Sequence, residues 1–289
     1  MHKHALPLIC FVLALSSGCS KKSETDIVTF PLRGEVVRID SAQLRVTVSH
    51  QAIPNYMNAM TMPFKVHEAG ILRGLAVGDS IQATLAVSRT ESWLEQIAVV
   101  GKGEVPPTLT PDQIITARVF RTGEPFPDES LLNQDGKKIS LLSFRGKVIA
   151  LTFIYTRCPL PDFCMRMSDH FARIQKSLKG DGGLTGKWHL LSVSFDPKFD
   201  RPAVLKRYAG EYGADFSTWD FLTDPDTLGP VIRRLADGLG LEYTPDEGLI
   251  DHNLRTVIID KEGNLVKVIT GNEWKPEEVA GEIRGLAAR

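Results

Sequence analysis

Residues 148–155 (Val-Ile-Ala-Leu-Thr-Phe-Ile-Tyr) form a nearly unbroken apolar run of strand length. A strand this apolar is at home only where both of its faces are covered, in a parallel or mixed sheet flanked by helices. Thr156-Arg157-Cys158-Pro159 follows at once, and Pro159 and Pro161 stop the strand from continuing. Cys164, Met167, Phe171, Ile174 and Leu178 then recur at helical spacing and define one buried helix face. One thiol therefore falls in a loop after a buried strand, and the other in the first turn of the next helix.

The remaining residues sort into two patterns around this point. Ahead of it, Leu44, Val46 and Val48 alternate with polar residues, as do Ile81, Ala83, Leu85 and Val87, and residues 93–100 close the set. About five short strands in so little chain predict a small antiparallel barrel, since closure removes exposed edges. The stretch Gly101-Lys102-Gly103-Glu104-Val105-Pro106-Pro107 reads as a linker. Beyond it, strands alternate with helices. A second buried strand is expected at 190–193, helices after Asp200-Pro202 and around Leu228 to Leu239, a hairpin over 256–269 and a last helix from Pro276. That order is thioredoxin-like. The predicted fold class is a small all-β OB-like barrel followed by an α/β thioredoxin-like domain. The boundaries are 30–100 for the barrel, 101–114 for the linker and 115–289 for the second domain.

The first residues carry their own signal. A short basic start leads into an apolar run from Ala5 to Leu15, too short for the roughly 18 residues of a spanning helix and suited to a secretory leader. The run ends in Leu15-Ser16-Ser17-Gly18-Cys19, which resembles a bacterial lipobox, although Ser16 stands where an aliphatic residue is usual. The resemblance implies a signal peptide over 1–19, a lipidated Cys19 and a polar tether over 20–29. An uncleaved anchor is the plainer alternative. Either way the body lies outside the cytoplasm, where thiols tend to oxidise. A net charge of −1 gives no reason to expect nucleic acid.

The mature body then has two cysteines, Cys158 and Cys164. As a structural disulfide they would close a very short loop, worth roughly 2 kcal/mol on the chain-entropy scale. A staple would more usefully tie distant segments. Placement near a helix N-terminus favours the thiolate, which is both the nucleophile of disulfide exchange and a soft ligand for Cu(I). From the residues alone, redox and metal chemistry stay open.

Tyr155-Thr156-Arg157-Cys158-Pro159, then Cys164, then Ser194-Phe195-Asp196-Pro197, and Asp251-His252-Asn253 ahead of the strand ending Ile259-Asp260, resemble the Sco/SenC family of thioredoxin-like copper proteins. In that family two cysteines and a histidine bind copper, and the proteins help to assemble the binuclear copper centre of cytochrome c oxidase. The resemblance implies Cys158, Cys164 and His252 as copper ligands, with Cys158 and Cys164 as the catalytic pair if the site is redox-active. The chain departs from the commonest family pattern in having five residues between the cysteines where three are usual.

Five of the six methionines fall in two clusters, Met57, Met60 and Met62, then Met165 and Met167. Thioethers are soft donors, though Met60 and Met62 also sit where strand periodicity would bury them as core. His50-Gln51-Ala52-Ile53-Pro54 followed by Ala59-Met60-Thr61-Met62-Pro63-Phe64 resembles the CusF-type periplasmic copper-binding barrel. In that barrel a histidine and two methionines bind the ion beneath a tryptophan. The resemblance implies His50, Met60 and Met62 as ligands. Met57 stands in the tryptophan's place, and Trp93 is too distant in sequence to be taken as its substitute.

Together the two resemblances imply a lipid-anchored, periplasmic copper chaperone with two soft-metal sites, the barrel capturing Cu(I) and the second domain delivering it. The implied partner is the oxidase subunit that carries the binuclear copper centre. A thiol-disulfide oxidoreductase using Cys158 and Cys164 is one alternative, and a copper buffer or sensor for copper resistance is another.

Overall fold

The computed structural model describes residues 27–57, 59–103, 119–244 and 250–289. The expected leader, Cys19 and most of the expected linker lie outside these residues. No helix among the described residues is long and apolar enough to cross a membrane.

The first unit is a closed barrel of β1 (Val28–Asp40), β2 (Arg45–His50), β3 (Met60–Lys65), β4 (Asp79–Val87) and β5 (Ser92–Lys102), with a short helix α1 (Ala69–Leu72) after β3. The strand order is β1-β2-β3-β5-β4, and β4 returns to pair with β1. Neighbours are antiparallel except β3 and β5, which meet in parallel at Lys65 and Trp93. Strict alternation explains the closure: Val46, Val48 and His50 of β2 point inward, as do Met62 and Phe64 of β3. At Gly34 the β1 backbone passes so close to β2 that an added Cβ would lie 2.4 Å from the Ser49 carbonyl and 2.6 Å from the His50 Cα. Only glycine admits this approach, and it fixes β2 next to His50.

The second unit is built on a seven-stranded mixed sheet. Its strands are β6 (Ser130–Asn133), β7 (Lys138–Ser140), β8 (Val148–Ile154), β9 (Trp188–Ser194), β10 (Trp219–Thr223), β13 (Arg255–Ile259) and β14 (Leu265–Thr270), in the order β14-β13-β8-β9-β10-β6-β7. Strands β8, β9 and β10 run parallel, and β13 lies antiparallel to β8. The helices are α2 (Arg166–Lys179), α3 (Pro202–Glu211), α4 (Pro230–Leu239) and α5 (Pro276–Ala287), and a two-stranded ribbon joins β11 (Tyr243–Thr244) to β12 (Asp251–His252). Helices α2 and α5 pack on each other and on β8. Every residue of β8, β9 and β10 is buried, as expected for central strands. This is the thioredoxin-like arrangement.

The structure departs from the sequence reading at four places. Strand β10 carries Asp220 in its centre, and that carboxylate hides the strand from any hydropathy pattern; it is satisfied internally by His189 Nε2 and Gln134 Nε2, each at 2.8 Å. Leu228 is not on a helix face but 88% exposed, and α4 begins after Gly229, which adopts left-handed angles (φ 66°). Asp200 does not cap α3. It accepts instead from the Thr156 amide at 2.9 Å, from the Ser194 hydroxyl at 2.6 Å and from the Thr156 hydroxyl. Finally, Cys164 precedes α2 and sits in a wide π-type turn, Pro161–Met165, in which Phe163 leaves the helical region (φ −108°, ψ −113°).

The two units touch at the thiol loop. Tyr56 OH donates to the Pro159 carbonyl at 3.3 Å, Ser92 Oγ to Asp162 Oδ1 at 2.9 Å, and an Arg166 guanidinium N–H to the Thr90 carbonyl at 3.3 Å. On the flank, Arg45 donates to Asn272 Oδ1 at 3.0 Å and ion-pairs with Glu273, which Lys65 also approaches at 3.5 Å. Asn272 in turn donates to the Asp162 carbonyl. Burial works against charge on Glu273, but Lys65 and Arg45 outweigh it and hold the carboxyl below its usual range.

Candidate metal centre

Cys158 leaves the end of β8 through a tight turn closed by its amide on the Tyr155 carbonyl at 3.3 Å. Two contacts hold that turn. Asp200 clamps Thr156 to the end of β9, and the Arg157 guanidinium pairs with Asp196 Oδ2 at 2.7 Å while lying over the Phe199 ring at 4.5 Å. Asp200 and Asp196 thus fix the loop from below without reaching the thiols.

The wide turn swings Cys164 back under the loop, where its sulfur meets the Tyr155 amide at 3.4 Å. His252 arrives from β12, opposite Tyr243 in the ribbon. Its Nδ1 donates to the Asn253 carbonyl at 2.8 Å, which leaves Nε2 facing the Cys164 sulfur at 3.7 Å. Locking one ring nitrogen on a carbonyl is the usual way a ligating histidine is oriented. Three rings wedge the imidazole: Phe195 at 4.8 Å, Tyr155 at 5.5 Å and Phe163 at 5.7 Å between centroids. The two sulfurs and one His252 nitrogen lie within 4.8 Å of one another.

Both cysteines are free thiols and buried. Burial alone would raise the Cys158 thiol, but hydrogen bonds from Cys164 and His252 reverse this and hold it well below the usual thiol range. Burial, and then the neighbouring Cys158 sulfur, push the Cys164 thiol well above that range. The two thiols are thus pushed apart, Cys158 towards easier ionisation and Cys164 towards keeping its proton, as expected where a buried site supports little charge. Two soft sulfurs and an imidazole in a water-poor setting form a donor set for a soft monovalent ion or a dithiol for exchange.

In the barrel, His50 and Met60 are direct partners across β2 and β3, and Met62 follows on the same face. His50 repeats the posture of His252: Nδ1 donates to the Gln51 carbonyl at 2.7 Å, while Nε2 is buried without a hydrogen-bond partner among the described residues. Burial lowers its affinity for a proton, so the ring stays neutral and able to ligate. Met57 is drawn in by a bridge to Ile53 and is buried. Trp93 lies elsewhere, stacked on His67 at 4.6 Å. Of the second methionine pair, Met167 is core beneath Thr256.

Sequence reasoning missed the residues that shape the site from outside, Tyr56, Ser92, Asp162 and Asp200. Asp162 carried a signal, since a carboxylate inside a proline-bearing loop between two thiols needs a partner if it is buried.

A family model for SCO1/SenC matches residues 117–288, and one for the copper-binding periplasmic protein CusF matches residues 29–99. The SCO1 protein homologue of Bacillus subtilis (strain 168) is 40% identical over 166 residues, 57% of this chain and 82% of that protein. A SCO2-like protein of Rickettsia typhi (strain ATCC VR-144 / Wilmington) is 25% identical over 155 residues, 51% of this chain and 70% of that one. Among solved structures, a SCO1/SenC family lipoprotein from Bacillus anthracis str. Ames is 25% identical, covering 60% of this chain and 96% of that chain with a TM-score of 0.49.

Proposed function

The chain belongs to the SCO1/SenC family, and from that premise we propose that it is an extracytoplasmic Cu(I) chaperone, anchored through a lipid on Cys19, that serves the assembly of cytochrome c oxidase. The observation that carries this reading is the convergence of Cys158, Cys164 and His252, whose donor atoms lie within 4.8 Å of one another. Copper is the cargo. Its copper-binding CusF match and the thioether-bearing face of the barrel add a second soft donor set on the same chain. The client implied by the family is the oxidase subunit with the binuclear copper centre.

The site's own residues define what loading requires. Cys158 offers the more readily ionised sulfur and His252 a nitrogen whose orientation is already set. Cys164 must give up its proton to become the third donor, so loading releases a proton. The apolar walls keep water and competing hard ligands out. In a titration of the full chain in detergent with Cu(I) against a chromophoric chelator, Cys158→Ser/Cys164→Ser together should abolish tight binding. Undiminished copper retention by that double variant would sink the reading.

A second reading has one observation of its own, the split between a low Cys158 thiol and a high Cys164 thiol. As a reductant, Cys158 thiolate would attack a client disulfide and release one client thiolate. Cys164, once deprotonated, would attack the mixed disulfide, freeing the second client sulfur and leaving Cys158 and Cys164 joined. Turnover on a model disulfide by copper-free protein separates this from chaperoning. A third reading, a copper buffer for resistance, is separated by deleting the gene and comparing oxidase activity with copper sensitivity.

A further inference from the structure

The two donor sets face one cavity. Met57, Met60 and Met62 from the barrel and Cys158 and His252 from the thioredoxin-like domain line the same pocket at the junction of the units. Tyr155, Pro159, Leu160, Phe163 and Ile250 complete its walls, so the donors face a mainly apolar chamber. The free space at its centre is about 20 Å³, and one water-sized particle needs roughly 10–15 Å³ by the same measure. There is room for one ion.

Three observations make this junction a built one. Tyr56, stacked on Phe30 at 4.1 Å, reaches across to the Pro159 carbonyl one residue after Cys158. Ser92 and Asn272 both donate to Asp162, two residues before Cys164. Two of the five residues between the cysteines, Pro159 and Asp162, are thus hydrogen-bonded to the barrel. On the barrel side Met57 comes from the turn between β2 and β3, and Met60 and Met62 from β3, the strand against which β12 and its His252 lie.

We propose that in the docked chain the barrel and the thioredoxin-like domain hold a single Cu(I) between them, with Met57, Met60 and Met62 as the barrel's donors to the pocket and Cys158 and His252 as the facing ones. This rests on the Cu(I) reading above and replaces two independent sites by one shared site. Thioethers are neutral, weak, soft donors and thiolates are anionic, strong ones. An ion in the shared site is therefore held by weak neutral thioethers on the barrel side and by a thiolate and an imidazole on the other, and it can leave the methionines one at a time for the cysteine side. No electron moves, since each step exchanges one donor to the ion for another.

The test uses the full chain in detergent, grown with selenomethionine and given one equivalent of Cu(I) as the acetonitrile complex. X-ray absorption at the selenium edge reports copper bonded to selenium, and at the copper edge reports sulfur and imidazole. The expected result is a copper neighbour at the selenium edge together with thiolate and imidazole at the copper edge. Binding should saturate at one tight Cu(I) per chain, and affinity should fall at least tenfold in Met57→Leu/Met60→Leu/Met62→Leu, a volume-conserving change. Copper absent from the selenium edge at one equivalent, or two tight Cu(I) lost independently by the cysteine and methionine variants, overturns the shared site and leaves the chaperone reading standing. Copper retained undiminished by Cys158→Ser/Cys164→Ser overturns both. The selenium-edge measurement needs no variant, so a folding defect in the triple mutant does not remove the test.

Discussion

Ser92 Oγ of the barrel donates a 2.9 Å hydrogen bond to Asp162 Oδ1, the fourth of the five residues between Cys158 and Cys164. Asp162 is buried. Burial raises its carboxyl above the usual range, against the pull of Ser92 and of the nearby Arg166 and Lys65 charges. The hydrogen bond that offsets this burial comes from the other unit, so it spans the junction.

Asp162→Ala should therefore loosen the docking of the barrel more than it loosens either fold. Losing a buried hydrogen-bonded carboxylate at the junction is worth roughly 1–3 kcal/mol. We expect the alkylation rate of Cys158 in the copper-free chain to rise about tenfold, with the circular dichroism spectrum unchanged. An unaltered rate would show that the Ser92 contact does not govern access.

His252→Ala should remove copper without unfolding the chain. The imidazole packs on three rings but is only half-buried. Outer-shell partners typically cost about 10–100-fold in metal affinity, so loss of a ligand should exceed that, while the melting temperature moves by only a few degrees, on the order expected for about 1 kcal/mol. Chelator competition and a thermal scan on the same sample check both halves.

Asp200→Ala is expected to do the reverse. Its carboxylate is fully buried and accepts three hydrogen bonds that join the end of β8 to the end of β9. Removing it strands the Ser194 hydroxyl and the Thr156 amide, at a cost of roughly 2–4 kcal/mol. Denaturant unfolding should show that loss. Copper affinity should fall less than in the His252 variant, because no donor is removed.

Acid should weaken the fold partly through His170. Burial first, and then the Arg166 and Arg173 charges, bring its imidazole down to about 4, with Glu277 and Glu273 opposing. Between about pH 6.5 and 4 the unfolded chain binds a proton that the folded chain refuses, so stability falls as pH drops through that window. The ring is partly open to solvent against Trp274, and screening keeps the effect below about 1 kcal/mol. His170→Phe should flatten the stability profile between pH 6.5 and 4 relative to the parent, as read by urea midpoints. Equal slopes would remove His170 from the account.

Much of this architecture was legible in residue pattern. The β8 run announced a central strand, alternation announced the barrel, and helical spacing announced α2. What periodicity could not supply were contacts between distant segments. Asp220 hides β10 because a buried carboxylate looks like a solvent-facing one until His189, Gln134 and Asn133 are brought to it. Asp200 looks like a helix cap because it precedes Pro202, yet its partners are Thr156 and Ser194. The two donor sets could each be read locally, but nothing in either stretch says that they meet, since Ser92 and Asp162 are 70 residues apart. The unusual spacing of the cysteines was visible from the start, but the contacts of Tyr56 with Pro159 and of Ser92 with Asp162 were not, because they join distant segments.

The Tyr56 hydroxyl on the Pro159 carbonyl is a modest contact, and two separate proteins joined by so few bonds would drift apart at cellular concentrations. Here the cap and its seat are parts of one chain, so re-closure is governed by an effective concentration on the order of millimolar. On the chaperone reading proposed above, a client reaching for Cys158 would compete with a tethered rival. Delivery on that reading would have a threshold: only a surface that binds more favourably than the barrel would open the junction, and stray thiols or chelators at lower concentration would leave it shut.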